Sequence, residues 1–329
     1  IEEFYDNLIN IFFEDKIFQN KIVFKMILLS LSDIAKNHNR NFCLINKIQK
    51  ILSFMKDEIK QTFSNFEVFD IFKFNKLIIL FLVKEKVITI DESIFEIITN
   101  EKYLMMKYPE YFFTEIQSFF NKEMIDKLSI NSISNDFEEN RLIGENENYI
   151  CKLIRDDLIE DFIIYINKTD FPISKTIKPS IYETNSYLLK KEPTLIEYSA
   201  FFGSVQIFRY LYLNNAYIEP SIWYYAIHGN NPELISFLED NHIEPDDKSF
   251  HKILEESIKC HHNEMANYIL NTHINNEDKN EFDKNVYAYA FHYHNYIYFP
   301  TDVNHKFIFF YACQYNYISI VEYFIKCIL

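Results

Sequence analysis

Apolar residues recur every three to four positions along most of this chain, the spacing that turns one face of an α-helix toward a core. Phe4, Leu8, Ile11 and Phe12 form one such stripe, and Ile45, Ile48, Ile51, Leu52 and Met55 form another. Across residues 1–128 the pattern predicts five to seven helices, a helical N-terminal region. Residues 129–149 are polar, carry an acidic excess and include Gly144, which predicts a linker or long loop. Helical spacing resumes over 150–166. A polar stretch with Pro172 and Pro179 follows.

From there to the end the pattern repeats. A proline or polar opener leads to a short apolar helix, a Gly/Asn/His turn, a second helix and a polar exit. The first unit opens at Glu192-Pro193-Thr194 and gives helices over 195–202 and 205–213. The second opens at Pro220-Ser221, with helices over 222–228 and 232–239. The third opens near Asp247, with helices over 250–259 and 264–270. The fourth runs to His292 and loses its second helix near residues 296–300. The fifth spans 306–314 and 318–327. Small residues mark the register: Ser199, Ala226, Ser257, Ala290 and Ala312, at intervals of 27, 31, 33 and 22 residues. A small side chain at one recurring site lets neighbouring helices approach closely. Bulky pairs such as Ile207/Phe208, Leu234/Ile235 and Ile320/Val321 fill the space between units. Pro193, Pro220 and Pro245 sit at or just before first helices, where a missing N–H costs least.

Residues 194–216 resemble the ankyrin repeat, a Pro-Leu-His-x-Ala-Ala-x-x-Gly-His helix followed by a Val-Val-x-Leu-Leu helix. The equivalents are Ile196, Ser199-Ala200, Gly203-Ser204, Ile207-Phe208 and Tyr210-Leu211. Glu197 stands where the repeat has His, and Asn215 where it has its closing Gly. A longer string resembles a domain-of-unknown-function family of the ankyrin superfamily, expanded in parasitic flagellate protists. It comprises Ile154-Arg155-Asp156-Asp157-Leu158, the run from Ile177 to Ser186, Pro193-Thr194-Leu195-Ile196-Glu197-Tyr198, Ala200-Phe201-Phe202-Gly203-Ser204, Tyr225-Ala226-Ile227-His228-Gly229-Asn230 and Glu256-Ser257-Ile258-Lys259-Cys260-His261-His262. The resemblance covers residues 150–329. It implies an all-α, ankyrin-like α-solenoid of degenerate helix pairs and brings no catalytic residue or cofactor. An echo in the N-terminal region, residues 87–95 against 216–223, extends the expectation to cryptic helix pairs there.

Composition narrows the functions. Only three glycines occur, Gly144, Gly203 and Gly229, and no two lie within ten residues. Phosphate-cradling loops and a Gly-x-Ser-x-Gly elbow need closely spaced glycines, so neither is expected. Net charge is −15, which disfavours nucleic acid and anionic membrane surfaces. The five cysteines, Cys43, Cys151, Cys260, Cys313 and Cys327, are widely spaced and match neither a disulfide framework nor paired zinc ligands. Reduced thiols in a cytoplasmic or nuclear protein are the expectation. The apolar runs over 22–31 and 77–83 are too short to span a membrane. The chain begins at Ile1 and ends on a second helix, which reads as a piece of a longer array.

Candidate chemistry gathers in the C-terminal half. His228, His242, His251, His261, His262, His273, His292, His294 and His305 cluster there with Cys260. They suggest a metal site, or a Cys–His pair of Cys260 with His261 or His262. The plainer reading places several of them on turns between paired helices. Asp156/Asp157 and Asp246/Asp247 are candidate acid–base pairs, or simply helix caps. The favoured site is the concave first-helix face. One position precedes each aligned small residue: Tyr198, Tyr225, Glu256, Tyr289 and Tyr311. Another follows by two: Phe201, His228, Lys259, His292 and Gln314. Aromatic residues on a half-exposed groove suit a protein-binding surface. The expected function is a protein–protein interaction scaffold, without cofactor or catalysis. The alternatives are a metal- or Cys/His-dependent enzyme around the third and fourth repeats, and self-association.

Overall fold

The computed structural model describes residues 17–37, 42–100, 107–120, 136–246, 248–274, 279–299, 306–315 and 317–328. The stripe Phe4, Leu8, Ile11 and Phe12, residues 129–135 of the expected linker, Asp247 and His305 lie outside them. The described elements are helical. They include no strand, only an isolated bridge between Thr176 and Thr194. Two compact units form: Ile1–Asn146 with Pro179–Lys191, and Glu147–Lys178 with Glu192–Leu329.

In the first unit, helix Lys21–Asn37 turns Phe24, Leu28, Ser32 and Ala35 inward, one or two turns apart. The Ser32 hydroxyl donates to the carbonyl oxygen of Ile71 at 2.6 Å. Helix Asn65–Phe72 starts on a capping box, with Glu67 N–H on Ser64 Oγ at 3.2 Å and Ser64 N–H on Glu67 Oε2 at 2.9 Å. Helix Lys76–Lys84 starts on Asn75, whose side chain accepts from Ile78 N–H at 3.0 Å. These helices close over a core that includes Phe24, Phe69, Phe72, Ile78, Tyr111 and Phe112.

The expected linker is different in the structure. Phe137–Ile143 is a helix, and Arg141 on it is buried. Its guanidinium donates to both oxygens of Glu115 (2.7 and 3.0 Å), to Glu138 (2.5 Å) and to the Tyr111 carbonyl (2.9 Å). Arg141 is thus held in an ion network inside the unit, while Glu138 and Glu139 of the same helix remain exposed. The stretch Pro179–Lys191 also belongs to this unit. Thr184 donates to the Gly144 carbonyl through both its N–H (3.0 Å) and its hydroxyl (2.8 Å).

The second unit consists of helices taken two at a time. Pair one is Tyr149–Arg155 with Ile159–Thr169, and pair two is Leu195–Phe202 with Val205–Leu213. Pair three is Ile222–Gly229 with Pro232–Asp240, and pair four is His251–Lys259 with Asn263–His273. In pair five, Lys279–His292 is followed, among the described residues, by a short 3-10 turn, Tyr296–Tyr298, where the pattern loses its second helix. Pair six is Lys306–Gln314 with Ile318–Ile328. Each first helix packs against the first helix of the next pair.

The register read from the small residues has a physical basis. Ser199, Ala226, Ser257, Ala290 and Ala312 are fully buried. The carbonyl at this position closes the first helix: it accepts from Ser204, His262, Asn295 and Tyr317 N–H in pairs two, four, five and six, at 2.8–3.0 Å. Leu153 does the same in pair one, accepting from Leu158. The residue in between takes left-handed backbone: Asp157, Gly203, His261 and His294, with Asn230 at the turn of pair three. Side chains then tie pair to pair. Ser204 Oγ donates to the Ile154 carbonyl (2.5 Å), Asn295 Nδ2 to Ile258 (2.9 Å) and the Tyr317 hydroxyl to Phe291 (2.9 Å). Each acceptor directly follows the aligned residue of the preceding pair. In pair three, Asn231 Nδ2 reaches the Gly203 carbonyl instead, at 3.0 Å.

The N-terminal echo is visible in local geometry. Lys86 and Asn215 both have left-handed backbone, with φ of 56° and 60°. Val87 N–H closes on the Leu82 carbonyl as Ala216 N–H closes on Leu211, at 2.9 and 3.0 Å. The Ser64/Glu67 capping box also matches one formed by Thr194 and Glu197 at the start of pair two.

Candidate functional site

The first-helix row is where the sequence placed a half-exposed groove. The structure divides it. Of the positions that precede the aligned small residue, Tyr198, Tyr225, Glu256 and Tyr311 are buried, and Tyr289 is half-buried. Of those that follow by two, Phe201 is buried, His228 and Lys259 are half-buried, and His292 and Gln314 are exposed. The small aligned residues bring the first helices close, and the rings fill the gap between them. Tyr198 lies 4.6 Å from Phe202, and Phe201 lies 6.5 Å from Tyr225 and 4.9 Å from the His228 ring, centroid to centroid. Arg155 Nη1 donates to the Tyr198 hydroxyl at 3.2 Å. Burial, with Glu197 and Glu219 nearby, pushes the Tyr225 phenol well above its usual range. These tyrosines are packing residues, and the exposed part of the row is at His292 and Gln314.

Between pairs three and four the row changes character. Cys260 Sγ lies 3.6 Å from Nδ1 of His228, and Nε2 of the same ring lies 2.9 Å from Glu256 Oε1. The Lys259 ammonium donates to both Glu256 oxygens, at 2.8 and 3.0 Å. Glu256 and Cys260 are four residues apart, one turn of the same helix, so both face back toward pair three. The Phe201 ring is stacked on the imidazole. Burial alone would raise the Glu256 carboxyl, but the His228 hydrogen bond and the Lys259 charge oppose it and hold the group below its usual range. Burial and the Glu256 charge push the Cys260 thiol well up, so it keeps its proton. A protonated thiol donates to Nδ1, which leaves the ring proton on Nε2 facing the Glu256 carboxylate. With 1% of its surface exposed, Cys260 is not presented as a nucleophile.

The sequence paired Cys260 with its neighbours His261 and His262. The structure pairs it with His228, 32 residues upstream. His261 instead donates from Nε2 to the Tyr293 carbonyl at 2.9 Å. His273 meets Glu239 at 2.8 Å and stacks on Phe250. His292 stacks on Tyr293 and Tyr315, and His294 Nδ1 meets the Tyr317 hydroxyl at 2.6 Å. The histidine crowd is therefore spread along the turns. The group of His228, Glu256 and Cys260 alone, among the described residues, brings three potential ligand atoms within 4.8 Å of one another. Asp157 is a cap: its carboxylate accepts from Gln206 N–H (3.1 Å) and Ile207 N–H (3.0 Å) of the next pair.

One further surface was not anticipated. Tyr212, Leu213, Tyr217, Ile218, Ile243 and Glu244 line an open groove of about 700 Å³ between the exits of pairs two and three. Leu213 and Tyr217 are 78% and 77% exposed. No helix among the described residues is long and apolar enough to cross a membrane. Set against known proteins, the chain matches no family model, no curated protein and no solved structure.

Proposed function

We propose that Glu147–Lys178 with Glu192–Leu329 forms an ankyrin-like stack of helix pairs that serves as a protein-binding scaffold, without catalysis of its own. The observation that carries this reading is the repeated tie between pairs, Ser204 to Ile154, Asn295 to Ile258 and Tyr317 to Phe291. A bond that recurs at the same register holds pairs two, five and six to their predecessors, and surface positions then recur along the stack as they do in repeat scaffolds. The partner is a protein: a net charge of −15 repels phosphate backbones, and Leu213 and Tyr217 offer apolar area that water does not favour.

The test uses two variants of the whole chain. One carries His292→Ala with Gln314→Ala; the other carries Leu213→Glu with Tyr217→Glu. All four side chains are exposed, so circular dichroism should be unchanged. Affinity capture with the wild type is expected to recover a protein at fixed stoichiometry that one variant loses. A recovered protein retained by both variants, or a chain that only self-associates on sizing, defeats the reading.

A further inference from the structure

At the position before the aligned small residue, the aromatic row of pairs two to six is broken once. One residue before the aligned small residue stand Tyr198, Tyr225, Tyr289 and Tyr311, but pair four has Glu256. Three residues after it stand Phe202, Gly229, Tyr293 and Tyr315, and pair four has Cys260. Glu256 and Cys260 lie one turn apart on the same side of pair four's first helix, and the residue opposite them on pair three is His228. A packing row gains nothing from exchanging a ring for a carboxylate, since burying polar groups costs free energy unless they are well partnered. Departures from a local rule concentrate where a protein has a second task.

We propose that Cys260 Sγ and His228 Nδ1 bind a zinc-class divalent cation between pairs three and four, with Glu256 orienting the imidazole. The distance supports this. A tetrahedral ion with a metal–sulfur bond of about 2.3 Å and a metal–nitrogen bond of about 2.0–2.1 Å sets the two ligand atoms roughly 3.5 Å apart. Sγ and Nδ1 are 3.6 Å apart. The tautomer is also right: Nε2–H meets the Glu256 carboxylate at 2.9 Å, which leaves the Nδ1 lone pair directed at the sulfur. A carboxylate on the far nitrogen is the arrangement that fixes a metal-binding histidine. Phe201 against the ring face holds its plane. The remaining coordination positions take water.

Binding is a simple exchange. The thiol proton leaves to solvent, the sulfur lone pair forms the metal bond, and no electron transfer is involved. Lys259, with 26% of its side chain exposed, pairs with the Glu256 carboxylate and ligates nothing.

The probe is Co2+, followed by Zn2+ as competitor, on the whole chain purified with reductant and chelator and then freed of chelator. Wild type is expected to bind one Co2+ with a thiolate-to-cobalt charge-transfer band in the near ultraviolet, displaced by one equivalent of Zn2+. Cys260→Ser should lose the band. Glu256→Gln should keep it at about 10- to 100-fold weaker affinity. Lys259→Ala should keep it at equal or tighter affinity. Wild type without the band under excess Co2+, or a band that survives Cys260→Ser, overturns the proposal. Because Lys259→Ala touches no ligand, it keeps the test decisive if Cys260→Ser fails to fold: a folded Lys259→Ala protein without the band is equally fatal.

Discussion

The Ser204 hydroxyl donates to the carbonyl oxygen of Ile154 across 2.5 Å, and both groups are buried. The carbonyl lies at the end of the first helix of pair one, where intrahelical donors run out. Without Ser204 it keeps the Asp157 N–H (3.0 Å) but loses its side-chain donor inside the unit. Ser204→Ala should therefore destabilise the chain by about 1–3 kcal/mol, more than a single exposed hydrogen bond would. Gln206→Ala, two residues away and exposed, should change stability by less than about 0.5 kcal/mol. Urea unfolding of the two variants side by side measures the contrast. Equal midpoints would mean that the tie between pairs carries no stability.

Two of the chain's three glycines bring pairs two and three together. Gly203 has φ of +67°, and a Cβ there would sit 2.9 Å from the Gly229 carbonyl oxygen. Gly229 has no such backbone requirement, yet a Cβ on it would press into the carbonyl oxygen of Ala200, which is backbone and cannot swing away. Gly229→Ala is thus expected to cost more than the usual Gly-to-Ala change in a helix, which is favourable by about 1 kcal/mol. A loss of at least about 2 kcal/mol in thermal or urea unfolding is the expected result, since overpacking costs about 1–3 kcal/mol and here meets rigid backbone. A stabilised Gly229→Ala variant would contradict the close approach.

Arg141 is the most completely buried cation of the first unit's ion network, at 1% exposure. Its fork holds both Glu115 oxygens and reaches Glu138 and the Tyr111 carbonyl besides. Arg141→Ala takes this donor from the largely buried Glu115 carboxylate and the Tyr111 carbonyl, while the exposed Glu138 keeps Lys84, and a loss of about 3 kcal/mol is expected. Arg141→Lys should recover little of it, because an ammonium cannot reproduce the planar, bidentate fork. A lysine variant as stable as wild type would show that charge alone matters there.

Helix limits were legible because apolar spacing and turn residues agree. Leu195–Phe202 and Val205–Leu213 fall where the spacing puts them, and Asn230 and Gly203 mark turns that need left-handed backbone. The aligned small residues are buried as a shared register requires. Spacing gives a face, though, and not the distance to the next helix, so Tyr198 and Tyr225 read as groove residues when they are filling. Polarity likewise does not separate solvent-facing residues from buried ion pairs, which is why Arg141 was assigned to a linker. The His228–Cys260 pairing was recoverable in principle. His228 follows Ala226 by two and Cys260 follows Ser257 by three, so the register sets them on facing helices; reading the cysteine against its chain neighbours hid this.

Lys76 makes the first unit sensitive to pH. Its ammonium is buried, donates to the Glu183 carbonyl at 2.7 Å and to Ile181 at 3.4 Å, and lies 5.0 Å from the Tyr111 ring centre. Burial lowers its pKa from the usual 10.5 to about 7, with Lys107 acting the same way and Glu183 and Glu110 opposing. The unfolded chain therefore holds this proton up to about pH 10.5, while the folded chain gives it up near 7. Between those values the unfolded state binds more protons, and stability rises with pH. Below pH 6 both states are protonated and the contribution is flat. In Lys76→Met the dependence is absent. The stability difference, wild type minus Lys76→Met, should grow in favour of wild type by about 2 kcal/mol from pH 7 to 9 and stay constant from pH 5 to 6. Urea midpoints for both proteins across pH 5–9 read this directly, and a difference that stays level through pH 9 would show that Lys76 keeps an ordinary pKa in the fold.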